Sequence, residues 1–170
     1  MSVRPVLTYP DAFLKTKVVP TDPNDPTLAA VLVDLTDTMN QHPGCVGLAA
    51  PQIGHARRCV IIDVSRSARA GENHGLLKLI NPFIHEASQW KVSREGCLSF
   101  PDLLANVKRA QRIRFSAYNE RLEPIELVST GFEAVAVQHE IDHLDGILFL
   151  DRIRSAQDLF ERRKAVEQPL

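Results

Sequence analysis

Apolar side chains at Leu28, Val31, Leu32, Leu35 and Met39 recur at helical spacing. Asp25 followed by Pro26 offers an N-cap with proline at the first helical position, so the pattern predicts a helix that opens there and ends near His42, ahead of Pro43 and Gly44. The period then changes. Residues 45–52 read as a small-residue strand, and residues 58–65, 77–85, 107–119 and 124–128 are rich in β-branched side chains and bounded by Gly, Pro and Asn, which predicts further strands. A second helix is predicted from Thr130, where Thr130 and Glu133 form the T-x-x-E of a capping box, to about Asp145, with Gly146 ending it. A third, C-terminal helix is expected at about 155–167. Strands grouped between helices without regular alternation predict an α+β fold in place of a doubly wound parallel sheet. No internal repeat, low-complexity tract or Gly/Ser-rich linker divides the chain, so residues 1–170 are expected to form a single domain.

Composition narrows the function classes. The chain has 170 residues, 44% hydrophobic and 24% charged, enough to bury roughly 70% of the unfolded surface around one core. Lys and Arg number 20 against 21 Asp and Glu, so no global positive excess holds a phosphate backbone, and direct nucleic-acid recognition is not expected. The longest uncharged, mostly apolar run, residues 44–54, contains Gly, Pro and Gln and falls far short of the roughly 20 residues of a membrane span. Pro5, Pro10 and Asp11 interrupt the beginning of the chain before any apolar signal core, which predicts a cytoplasmic location. Three cysteines, Cys45, Cys59 and Cys97, cannot all pair. In a reducing compartment each is packed, reactive or metal-bound.

The second helix carries Gln138-His139-Glu140-Ile141-Asp142-His143. A four-residue offset sets His139 and His143 about 40° apart and roughly 6 Å along the axis, where both rings reach one metal ion. Glu140 follows the first ligand directly, beside the position a general base for a metal-held water would occupy. Phe132, Ala136, His139 and His143 also extend one apolar stripe, so two satisfied core histidines are the alternative. Burying Glu140 and Asp142 among them without a cation would be costly, which favours the metal. A third ligand is needed. In the pattern H-E-x-x-H-x-x-G-x-x-H, Gly146 fits but the last position is Phe149; Glu161 sits in the charged run Glu161-Arg162-Arg163-Lys164, which reads better as a solvated helix face. Cys97, in Glu95-Gly96-Cys97-Leu98-Ser99, is the stronger candidate, because Gly96 lets the backbone bend close to a ligand. Cys59, inside Cys59-Val60-Ile61-Ile62, suits a packed thiol better. The segment from Cys45 to Gln52 is either a close approach for a substrate backbone, ending in an amide donor, or a tightly packed interior strand.

Together these segments resemble the three motifs of the peptide deformylase family, roughly Gly-φ-Gly-φ-Ala-Ala-x-Gln, Glu-Gly-Cys-φ-Ser and His-Glu-x-x-His. Here they stand as Cys45 to Gln52, Glu95 to Ser99 and His139 to His143, and the resemblance runs from the first helix to about Arg152. It implies an α+β fold with antiparallel β-sheets around a central helix that carries the histidines. It also implies a metal-dependent hydrolase that removes the N-formyl group from the N-terminal formylmethionine of newly made polypeptides and releases formate. Cys97, His139 and His143 would hold one divalent ion per chain, Fe²⁺ in the cell, with Zn²⁺, Ni²⁺ or Co²⁺ compatible with the same donors. Glu140 would act as acid and base, while the Gln52 side chain and the Leu98 backbone N–H donate to the developing oxyanion. Val46, Phe132, Ala136 and the His139 ring would line the methionine pocket, with Val46, Gly47 and Gly96 beside the extended peptide. Arg109 would bond Glu95 or Asp142 unless it is exposed.

The implied partners are N-formylmethionyl peptides and nascent chains, met by a monomer. The basic run at Arg162 is similar to the helix by which some members dock on ribosomes, which would add a transient ribosome contact. Two positions depart from the family's pattern. Cys45 stands where glycine is usual, with backbone strain expected if φ is positive there and oxidation expected of a second thiol near a metal. Leu104 stands where many members carry a basic residue that helps hold the peptide, so peptide preference is expected to differ. The alternatives are an H-E-x-x-H metallopeptidase, a non-catalytic deformylase-like protein that binds metal or peptide, and a thiol hydrolase using Cys97 with His139.

Overall fold

Helix α1 (Leu28–Asn40) turns Leu28, Val31, Leu32, Leu35 and Met39 inward against Leu48, Cys59 and Ile61. The strand that receives it, β2 (Cys59–Ile62), is buried on both faces. Cys59 and Ile61 pack toward α1, while Val60 and Ile62 pack toward a second helix, α2 (Gly131–Leu144). That explains why this run is continuously apolar and not alternating. Each of Val60, Ile61 and Ile62, fully buried, contributes about 1.5–3 kcal/mol relative to exposure. The computed structural model describes residues 2–163.

Around α2 the strands β1 (Gly47–Ala49), β2, β3 (Leu77–Cys97), β4 (Phe100–Tyr118) and β5 (Pro124–Thr130) form one sheet in that order, and every pair is antiparallel. A last strand, β6 (Leu159–Glu161), pairs with β4 at residues 103–105, on the edge whose other end is taken by β5 at residues 112–118. In the gap between them Gln138 of α2 takes the place of a strand. Its Oε1 accepts from Ala110 N at 3.0 Å and its Nε2 donates to Ala110 O at 2.8 Å. Helix α2 is therefore central: its residues from Glu133 to Leu144 are all buried, so each polar side chain on it needs a partner.

The α+β class and the central helix agree with the sequence reading, and several boundaries do not. The chain becomes helical at Leu28 with Thr27 as N-cap, and Asp25 instead accepts from the Thr27 backbone and hydroxyl in a turn before it; the helix ends at Asn40, not His42. The strand expected at 77–85 continues to Cys97, and its partner begins at Phe100, not Val107. The Thr130–Glu133 capping box does not form: Thr130 makes no side-chain cap, and Glu133 accepts from Ser129 Oγ and from the backbone N–H of His74. The C-terminal helix expected at about 155–167 is also absent from its described part. A short helix, α3 (Phe149–Arg152), precedes that span, and residues 159–161 form β6 because Leu159 and Phe160 pair with Ala105 and Leu104. The remainder of that span, residues 164–167, lies outside the described residues.

Candidate metal centre and substrate cleft

Cys97 closes β3. A register shift between Gly96 and Cys97 and the two-residue turn at Leu98 and Ser99 bring its side chain off the sheet toward α2. His139 and His143 face it from successive turns of that helix. One donor atom each from Cys97, His139 and His143 lies within 4.8 Å of the others, with Cys97 Sγ 3.3 Å from His143 Nε2. His139 Nδ1 donates to Glu95 Oε1 at 2.6 Å, which leaves Nε2 for the ion. A thiolate and two imidazoles converging in a buried cluster are a donor set for one borderline divalent cation.

The charges behind the ligands are balanced. Arg109, buried at 3% exposure, bonds Glu95 through Nε at 2.7 Å and Nη2 at 3.0 Å, and reaches Asp142 through Nη1 at 2.6 Å. Arg152, from α3, closes on Asp142 from the other side at 2.6 and 3.0 Å. Arg109 thus bonds both of its expected partners. Burial alone would raise the Glu95 carboxyl, but the bonds from His139 and Arg109 overcome it and hold the group at about 2. Burial also works against protonation of His139, yet its bonds to Cys97 and Glu95 lift it well above the ordinary range. His143 is pushed well below, by burial first and then by its positive neighbours, so its ring is neutral. The Cys97 sulfur and the Glu95 carboxylate, which favour positive charge on His139, would equally favour a cation held between the sulfur and the rings.

Glu140 lies on the cleft side of this centre, buried, with Oε2 lacking any partner among the described residues. Burial is the main reason its carboxyl rises to about 7; His139 and Arg109 pull it down, and Glu95 and Asp142 push it up. Gly47 makes the room. A Cβ there would stand 2.6 Å from Glu140 Oε1 and 2.9 Å from its Cγ, closer than atoms pack. Gln52 is oriented by the backbone three residues before it: its Oε1 accepts from Ala49 N at 3.0 Å, so Nε2 faces the centre, where it donates to Ser99 Oγ at 3.2 Å and lies 3.6 Å from Cys97 Sγ.

A cavity of about 480 Å³ opens over the centre. Val46, Gly47, Gly96, Leu98, Phe132, Ala136 and the His139 ring, all expected at the substrate site, line it with Gln52 and Glu140. Val135 also lines it; like Ser99 and Arg152, which bond Gln52 and Asp142, it is not among the site residues expected from the sequence. Ser99 lies inside the Glu95–Ser99 motif; Arg152 comes from a separate helix and carries no local signal. Positive φ falls on Gly44, at 82°, and not on Cys45, so the condition for strain at Cys45 is not met. The Cys45 thiol donates to Gly47 O at 3.1 Å, and burial pushes it up to about 12, which keeps it protonated and unreactive despite its place beside the cavity.

Comparison with known proteins gives the same outline. The sequence profile described as polypeptide deformylase matches residues 3–158. The chain is similar to the peptide deformylase of Syntrophobacter fumaroxidans, 39% identical over 96% of this chain and 94% of the relative. It is 41% identical to that of Aquifex aeolicus over 98% and 94%. Among solved structures, the Met-Ala-Ser-bound class I type b peptide deformylase of Acinetobacter baumannii superposes with a TM-score of 0.83 at 35% identity, covering 90% of this chain and 100% of the other.

Proposed function

The chain belongs to the polypeptide deformylase family, and we propose that it hydrolyses the formyl group from the N-terminal formylmethionine of newly made polypeptides, through the residues gathered at the centre. The observation that carries this reading is the convergence of Cys97, His139 and His143 with a buried carboxylate, Glu140, whose Oε2 has no partner among the described residues, at the floor of the cleft. A divalent ion held by the Cys97 sulfur and the two Nε2 atoms would supply Lewis acidity and a water acidic enough to give hydroxide near neutral pH. Glu140 takes the proton of the attacking water and passes it to the departing nitrogen, without which the C–N bond does not break. Gln52 Nε2 and the Leu98 backbone N–H donate to the formyl oxygen as negative charge builds on it; removing one such donor costs on the order of 100-fold in rate. Formate and a free amino terminus leave.

Val46, Phe132 and Ala136 receive the methionine side chain, and Val46, Gly47 and Gly96 flank the extended peptide. Arg109, Glu95 and Asp142 hold the ring of His139 and the helix that carries both histidines. Fe²⁺ is the ion proposed for the cell, Zn²⁺, Ni²⁺ and Co²⁺ being accommodated by the same donors. Nascent chains in the cytoplasm are the substrates, met by a monomer; among the described residues no helix is long and apolar enough to cross a membrane. The test is formate release from formyl-Met-Ala-Ser under anaerobic conditions with Fe²⁺. Glu140→Gln keeps one metal per chain and loses nearly all turnover, whereas unchanged turnover refutes the role of Glu140.

A further inference from the structure

Three guanidinium groups line the outer cleft: Arg69, Arg94 and Arg162. They come from distant segments: Arg69 and Arg94 are anchored through their side chains, Arg162 through its backbone. Arg69 lies over the Phe132 ring at 4.1 Å and donates to Arg94 O at 3.0 Å and Ser93 Oγ at 3.3 Å. Arg94 lies over Phe160 at 4.4 Å and donates from Nε to Asn106 Oδ1 at 3.3 Å. The Arg162 backbone N–H donates to Asp102 O at 2.8 Å, and its Nη2 reaches over Gly96, into space that a Cβ there would occupy. Like several other surface arginines, these three have no carboxylate partner among the described residues, but they are the ones that line the cavity, whereas Arg4, Arg57, Arg58, Arg109, Arg114 and Arg152 are paired. The two carboxylates that line the cavity do not reach outward: Glu95 is consumed by His139 and Arg109, and Glu140 is buried at the floor.

The outer cleft is therefore a positive mouth on a chain whose net charge is −1. Its position fixes what passes under it. Gly96 adjoins the ligand Cys97, so a peptide with its amino end at the centre and its first side chain toward Phe132 and Ala136 leaves along Gly47 and Gly96, beneath Arg162 and Arg94. Building on the deformylase reading, we infer that these arginines make the enzyme prefer peptides with acidic side chains in the two residues after formylmethionine. Each exposed charge pair is worth little alone, but two carboxylates under three guanidinium groups give about a fivefold advantage at low salt, and added salt reduces it.

The experiment compares formyl-Met-Asp-Asp-Ala with its Asn-Asn and Lys-Lys counterparts, all amidated so that no terminal carboxylate contributes. The inference expects kcat/KM in the order Asp, Asn, Lys, chiefly through KM, with the Asp-to-Asn ratio falling toward one at high salt and in Arg94→Gln/Arg162→Gln. Equal values for Asp and Asn peptides in the unsubstituted enzyme overturn it. A metal-loaded protein that releases formate from none of the three overturns the deformylase reading instead. The affinities of the unformylated Asp and Asn peptides, measured by calorimetry, then decide the inference separately: tighter binding of the Asp peptide that Arg162→Gln abolishes supports it, and equal binding overturns it.

Discussion

Replacing Gly47 by alanine adds a single methyl group and moves the residue proposed to carry the proton. The added carbon would lie 2.6, 2.9 and 3.0 Å from Oε1, Cγ and Cδ of Glu140, where carbon contacts prefer about 3.5–4.0 Å. Glu140 is enclosed, so it or β1 must retreat by about 0.5–1 Å. Overpacking of this kind costs about 1–3 kcal/mol of stability, which a protein with a core of this size survives. The larger effect is on rate, because misplacing a reacting group by about 1 Å costs on the order of 100-fold. The assay is formate release by the metal-loaded protein beside its melting temperature and metal content. The expected variant is folded, binds one ion per chain, and has a kcat reduced about 10- to 100-fold with KM much less affected. Wild-type kcat in a folded Gly47→Ala protein would refute the placement of Glu140 against β1 and its role in proton transfer.

Arg109→Met leaves Glu95 and Asp142 facing each other without their shared cation, and loss of one partner from a buried pair predicts about 3–5 kcal/mol of destabilisation in urea unfolding; Arg109→Lys keeps the charge, loses the fork and falls between. Glu95, held at about 2 against a usual 4.5, contributes about 3 kcal/mol that is present above pH about 4.5 and lost as the pH falls toward 2. Urea unfolding followed against pH reads this acid limb, and Glu95→Gln flattens it. Glu140 has the opposite sign. Its carboxyl is raised to about 7, so in metal-free protein its stabilising contribution is full below pH about 4.5 and is lost as the pH rises through 7; metal-free Glu140→Gln therefore melts above wild type at pH 8 and loses that advantage in acid. The Cys45 thiol, pushed up to about 12, reacts slowly with alkylating reagents at pH 8 in the native protein, and mapping the modified cysteines over time checks this.

Much of the centre was legible because its spacing is local. His139 and His143 share a helix face, and Gly146, at φ 68°, ends that helix where punctuation placed the stop. Cys97 stands out because a glycine precedes it, although both end β3 and the turn itself is at Leu98 and Ser99. What escaped was fixed by distant contacts. The arm of β3 from Glu86 to Arg94 is mostly exposed on both faces, so it carries no period-two apolar signal, and only its pairing with β4 makes it a strand. At the C-terminal end the local cue was real: Ser155 Oγ does accept from Gln157 N, but the turn it starts lasts three residues before Leu159 and Phe160 join β4. That same pairing brings Arg162 over Gly96, so neither the loss of the expected helix nor the positive mouth could be read from neighbours in sequence. Glu133 shows the converse. The T-x-x-E pattern was present, but Ser129 and the His74 loop took the carboxylate.

The absorption spectrum of the Co²⁺-loaded protein tests the centre most directly, since a thiolate ligand adds a sulfur-to-metal charge-transfer band in the near ultraviolet and tetrahedral geometry intensifies the visible bands. One Co²⁺ per chain with that band, absent from Cys97→Ala, is the predicted result. The same band in Cys97→Ala, or a Co²⁺ spectrum with no thiolate signature in the unsubstituted protein, would contradict the assignment of Cys97, His139 and His143 as the metal ligands.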